Sequence, residues 1–120
     1  MARDTFTPVV AGGPYPTLQP TAASLDFALV AINATNKCQV ALTGKELLLV
    51  QNTGAGARTF TVSSVADALK RSGDITAYSL GAGKFMVLGP FAIEGWRQSD
   101  GNLYFEGEHA EIKVTVIRLP

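Results

Sequence analysis

Apolar and polar residues alternate over short runs through most of this chain. Phe60 and Val62 are interleaved with Thr59 and Thr61, and Ile112, Val114 and Val116 with Lys113 and Thr115. A period of two puts one set of side chains on the buried face of a pleated strand and the other toward solvent. On this pattern eight strands are predicted: Asp26–Ile32, Cys38–Leu42, Lys45–Gln51, Arg58–Ser63, Ile75–Leu80, Phe85–Pro90, Leu103–Glu106 and Glu111–Leu119. Turn residues punctuate them at Thr43-Gly44, Gly54-Ala-Gly56, Gly81-Ala-Gly83, Gly95 and Asp100-Gly101. Of these, Asp100-Gly101, between Trp96-Arg-Gln and Leu103-Tyr-Phe, is the clearest hairpin signal.

Two stretches break the pattern. Val65–Arg71 fits two helical turns with Val65 and Leu69 on one face, ended by Ser72-Gly73, and fits a long loop between sheets equally well. The first 24 residues hold four of the six prolines, Pro8, Pro14, Pro16 and Pro20, among threonines and Gly12-Gly13. Proline removes ladder donors and favours extended conformations, so this segment reads as an irregular arm. It carries Phe6, Val9, Val10, Tyr15 and Leu18, which are large apolar groups for a solvated tail. Such a segment is expected along a surface, the chain's own or a neighbour's. The expected organisation is an extended arm over residues 1–24 and a β domain over 25–120. The expected fold is all-β: a single-domain β-sandwich or jelly roll of about eight strands.

The 120 residues suffice for one core without staples. Ten basic and ten acidic residues cancel with no block of one sign, against a general nucleic-acid binder. The longest apolar run, Phe27–Ile32, is far too short for a membrane span. No apolar stretch near Met1 marks a secretory signal, so folding in a cytosol is expected. Cys38 is the only cysteine and His109 the only histidine. This disfavours both a disulfide framework and a metal site, and Cys38 reads as a small buried hydrophobe.

Several local features invite a chemical reading. Gly54-Ala-Gly56 follows an apolar run, as a phosphate-binding loop does, but it lacks a Gly-Lys-Ser/Thr ending. A β-branched strand follows it where a helix N-terminus would be needed. It is read as a hairpin loop joining two neighbouring strands, and Gly81-Ala-Gly83 likewise. A nucleophilic triad would have to use His109, which lies in the polar Gly107-Glu-His-Ala stretch and reads as a surface residue. Glu106, Glu108 and Glu111 lie close together, but paired-carboxylate chemistry also needs a cleft and a set separation. They read as a charged loop. Trp96, Tyr78 and Tyr104 are candidates for a sugar-stacking platform, or for packing and interface anchoring. No enzyme activity and no cofactor is expected. Asn33-Ala-Thr35 matches a glycosylation sequon that has no meaning without secretion.

Five stretches together resemble small structural proteins of tailed bacteriophages, namely the head decoration or cement proteins. They are Glu46-Leu-Leu-Leu-Val-Gln-Asn-Thr-Gly, Ser72-Gly-Asp-Ile-Thr-Ala-Tyr-Ser-Leu-Gly-Ala-Gly, Gly89-Pro-Phe, Gly95-Trp-Arg-Gln-Ser-Asp-Gly-Asn-Leu-Tyr and Val116-Ile-Arg-Leu-Pro120. The resemblance covers about residues 45–120 and rests on turn and strand signatures. It implies a non-enzymatic protein on the outer surface of a phage head, assembled in the bacterial cytoplasm. Its implied partners are the major capsid protein and further copies of itself, as a homotrimer. The N-terminal segment would reach over a neighbour through Phe6, Pro8, Val9, Val10, Tyr15 and Leu18. Trp96 and Tyr104 are the candidate interface or surface aromatics of the domain. The alternative is a carbohydrate-binding or host-surface adhesion module of a phage tail or head fibre.

Overall fold

In the computed structural model, residues 2–11, 26–66, 69–70 and 73–119 are described. They form ten strands: β1 (Asp4–Thr5), β2 (Val9–Val10), β3 (Val30–Ala31), β4 (Cys38–Ala41), β5 (Glu46–Asn52), β6 (Arg58–Ser63), β7 (Ile75–Leu80), β8 (Phe85–Leu88), β9 (Asn102–Gly107) and β10 (Ile112–Arg118). One sheet has the order β1-β4-β9-β6-β7 and the other β2-β10-β5-β8, with β3 also paired to β10. The β1–β4 and β2–β10 pairs are parallel and the rest antiparallel, so both sheets are mixed.

In β5 and β6 the alternation read from the sequence is the alternation of burial, whereas in β10 Thr115, expected toward solvent, is buried along with Val114 and Val116. Along β5, Glu46, Leu48, Val50 and Asn52 are buried while Leu47, Leu49 and Gln51 are partly exposed. Phe60 and Val62 of β6, Leu103 and Phe105 of β9, and Ile112, Val114 and Val116 of β10 fill the same core. Phe60 and Phe105 meet there with ring centroids 6.0 Å apart. Each such side chain contributes about 1.5–3 kcal/mol on leaving water, and this burial holds the two sheets face to face.

Connections mostly cross between the sheets. Asn52–Ala57 joins β5 to β6, which lie in different sheets, so this loop is not the hairpin expected of it. The β7–β8 connection at Gly81–Gly83 crosses likewise. Asp100-Gly101 is a tight turn, with Gly101 at φ +89° and its N–H donating to the Gln98 carbonyl, but it leads into β9 from non-strand residues. Of the Val65–Arg71 stretch, residues 65–66 and 69–70 are described and none is helical; Lys70 has φ +60°.

The N-terminal segment adds the two strands beyond the expected eight. The Asp4 and Phe6 amides donate to the Lys37 and Gln39 carbonyls on the β4 edge. Beyond Pro8 the chain reaches the other sheet, where the Ala11 amide donates to the Arg118 carbonyl. Phe6, at the crossing, packs edge-on against Phe105 at 5.2 Å. Residues 4–11 therefore strap one open side of their own sandwich. Because β2 takes the far end of β10, only Val30–Ala31 of the expected Asp26–Ile32 strand pairs there.

Candidate functional site

Most polar groups that invited a chemical reading are engaged in holding the fold. The Asn52 side chain, fully buried, donates from Nδ2 to the Gly56 and Leu80 carbonyls at 2.8 and 2.9 Å. Its Oδ1 accepts from the Gly54 amide at 2.9 Å. The Glu111 carboxylate lies where a Cβ on Gly54 would fall, so that glycine makes room for a side chain of this protein.

The three clustered carboxylates face different partners. Glu106 pairs with Lys37, Glu108 accepts the Thr59 amide at 2.8 Å, and Glu111 binds Arg58 Nε at 2.8 Å. His109 Nδ1 accepts the Glu111 amide at 3.0 Å and lies 3.6 Å from the Glu111 carboxylate. No three His, Cys, Asp or Glu side chains among the described residues group to hold a metal ion.

Trp96 and Tyr104 are separately occupied, whereas Tyr78 stands 52% exposed on β7. Trp96 is half-buried, edge-on to Phe91 at 4.9 Å, on the rim of the core. Arg3 lies 4.0 Å above the Tyr104 ring, and the Tyr104 hydroxyl donates to Asp100 at 2.6 Å. That hydrogen bond pushes the Tyr104 phenol up and holds the Asp100 carboxyl below its ordinary range. Of the proposed arm contacts, Phe6 packs on Phe105, Val9 and Val10 pair with β10, and Pro8 joins the two strands. Tyr15 and Leu18 lie outside the described residues.

One buried charge stands out. Glu46 is fully buried and accepts from the Thr43, Gly44 and Lys45 amides, the Thr43 hydroxyl and Arg118 Nε. Burial pushes its carboxyl up, but the bonds from Arg118, Thr43 and Lys45 outweigh this and hold it below the ordinary value. The pair ties the β4–β5 turn to the end of β10. Cys38 is also fully buried, and that burial pushes its thiol up.

The fold leaves open a polar pocket of about 260 Å³ beside Lys37, Thr61 and Glu106, a mixed groove and an apolar strand edge. A groove of about 600 Å³ runs between the N-terminal strap and β3, lined by Arg3, Phe6, Val9, Val30 and Val114 among others. At the other side of the sandwich, β8 forms the edge of its sheet, with Phe85 67% and Val87 60% exposed. Paired residues of a ladder point to the same face. Val87 therefore stands beside Leu49, and Leu47 beside Ile117, on the outer face of this sheet. The sequence reading missed Phe85 and Val87 as surface residues. A four-residue apolar run signals a strand, and nothing local tells whether that strand lies inside a sheet or at its edge. No family model matches the chain, no curated protein matches it in sequence, and no solved structure matches it.

Proposed function

We propose that this chain is a non-enzymatic cement protein that binds the outer surface of a phage head and strengthens the shell through contacts between subunits. The observation that carries the reading is where the protein's unsatisfied surface lies. The clustered carboxylates and Asn52 are bound to other parts of the fold, while Phe85 and Val87 stand exposed on the outer side of a rigid sheet. Such a surface suits burial against another protein more than turnover of a substrate.

The strand order supports the finer architecture. Strands β3–β10 fall into the orders β3-β10-β5-β8 and β4-β9-β6-β7, and only the β6–β7 connection stays within one sheet. That order is consistent with a jelly roll, a two-sheet fold used by shell proteins and by lectins. The N-terminal strap then reinforces the module at the side where β3 is short. The partner in this reading is the major capsid protein of the same particle.

The test is cryo-electron microscopy and thermal disruption of shells assembled from that capsid protein, with and without this chain. Added density on the outer surface and a higher disruption temperature are expected. Shells that neither carry the protein nor gain heat resistance would refute the reading.

A further inference from the structure

The ladder between β5 and β8 fixes which backbone groups of β8 are engaged. The Asn52 amide donates to the Lys84 carbonyl at 3.0 Å, and the Phe91 amide to the Glu46 carbonyl at 3.3 Å. The Asn52 bond, carried along the Val50–Met86 and Leu48–Leu88 register, puts the even-numbered residues of β8 toward β5. The Phe91 bond lies past Pro90, outside the strand, and does not set its phase. In an antiparallel ladder the alternate residues turn their N–H and C=O groups the other way. Phe85 and Val87 thus direct two donors and two acceptors out of the free edge. Among the described residues nothing pairs with that edge.

The remaining edges are guarded. β1, β2 and β3 are two residues each. β7 is six residues long, but a register shift opposite Phe60–Val62 breaks it, Ala77 has φ +48°, and the Ala77 amide is taken by the Thr61 hydroxyl at 2.9 Å. Short strands, bulges and charges are the usual protection against edge pairing. Within Phe85-Met86-Val87-Leu88 there is no charge, proline or bulge; Lys84 and Pro90 only bracket it.

We infer that β8 is a self-association edge, and that its occupant is β8 of a second copy, antiparallel across a two-fold axis at Met86. Self-complementarity selects this partner. Antiparallel neighbours must share a face, so the sum of paired residue numbers must be even. Centring on Met86 sets Phe85 against the partner's Val87 and Val87 against the partner's Phe85. Those are the residues with outward backbone groups, so all four groups on each copy find a mate. Phe85 and Val87 then stand side by side with their mates on the outer face, still open to a further partner, and the two sheets become one. The contact is short, well below the area of a permanent dimer, so the pair is weak and concentration-dependent. Copies held side by side on a surface would form it far more readily than copies in solution. This two-fold pair differs from the trimer implied by the resemblance, and it does not rest on shell binding.

Sedimentation velocity of the full chain over a concentration series tests it. A reversible monomer–dimer equilibrium is expected. Val87→Pro removes an N–H that points away from β5, a position where an edge strand tolerates proline, and should weaken the dimer at least about ten-fold. Its circular dichroism should match the parent. If Val87→Pro misfolds, Phe85→Lys serves the same purpose. The register is read by Met86→Cys: in a non-hydrogen-bonded antiparallel pair the Cα atoms lie about 4.5 Å apart, within disulfide reach. That variant should form a disulfide-linked dimer under mild oxidation, whereas Thr76→Cys on β7 should not. A chain that stays monomeric throughout overturns the inference. So does a trimer, an association indifferent to both β8 substitutions, or a Met86→Cys variant that fails to cross-link.

Discussion

Replacing Glu46 with glutamine tests the buried ion pair that closes the sandwich. Glu46 is fully buried while Arg118 keeps 30% of its side chain exposed. The Oε1 atom takes the amides of Thr43 at 2.7 Å and of Gly44 and Lys45 at 3.1 Å each. A glutamine carbonyl placed there keeps those three bonds. Its amide then falls at the Oε2 position, where Arg118 Nε also donates, and two donors face each other. The variant loses one charge-assisted bond and leaves a guanidinium without its counter-charge, a cost of about 2–4 kcal/mol. For a domain of this size that lowers Tm by roughly 10 °C. Urea titration followed by fluorescence of Trp96, the only tryptophan, reads the change.

The pH dependence of that difference has a definite sign. The folded-state pKa of Glu46 lies below the ordinary value, so the unfolded chain binds the proton more tightly. The extra stability is complete above the ordinary carboxylate range and fades as pH falls through the folded-state pKa. The gap between parent and Glu46→Gln should therefore be largest near neutrality and shrink in acid. An Arg118→Met change added to Glu46→Gln should cost less than the two single changes summed. A gap at neutral pH below about 0.5 kcal/mol, within the range of ordinary surface substitutions, would refute the assigned role. So would a gap that persists unchanged in acid.

Three further outcomes follow from the same structure. Asn52→Ala removes two donors and an acceptor that join the β5–β6 loop to the end of β7; a loss of about 2–3 kcal/mol is expected by urea titration. Removing residues 1–10 strips the Asp4 and Phe6 amide bonds and the Phe6–Phe105 contact. Denaturation should show about 3–5 kcal/mol lost, and an unchanged midpoint would mean that the strap contributes nothing. Cys38, fully buried, should react with a thiol reagent only as fast as the fold opens, so denaturant should accelerate labelling steeply. Prompt labelling of the native protein would contradict its placement.

Arg58–Ser63, inside its sheet, was legible because burial imposes a period of two on it, and it matches residue for residue. Ile75–Leu80 also matches, but as an edge strand with no alternation of burial it was legible from its β-branched residues and flanking turns. Connections were not legible. Asn52–Ala57 has the residues of a hairpin loop, yet the chain uses it to change sheets. The turn residues fix local backbone geometry, and the facing strand is chosen by packing far along the chain. The strand pairing within the N-terminal segment, expected only to lie along a surface, was not legible for a related reason. Proline-rich sequence argues against long ladders, but two-residue strands on either side of Pro8 ask little of it. What anchors them is Phe6 finding Phe105, a contact a hundred residues away in sequence.

The same separation between local and distant information explains why the conspicuous residues turned out to be structural. Glycine pairs, clustered glutamates and a buried carboxylate attract attention because their chemistry is strong, and strong groups are the ones a fold must satisfy internally. The β8 edge has no strong chemistry at all. Its significance comes from parity: the Asn52 bond to Lys84, carried along the β5–β8 register, decides that Phe85 and Val87 point outward. A shift of one residue in that register would turn Met86 and Leu88 to the edge and bury Phe85 and Val87. The surface available for association is thus set by the ladder phase of the neighbouring strand, and β5 holds that phase through Glu46 at one end and Asn52 at the other. Weakening either anchor should therefore loosen self-association as well as stability, although both side chains face the core and neither lies on the edge.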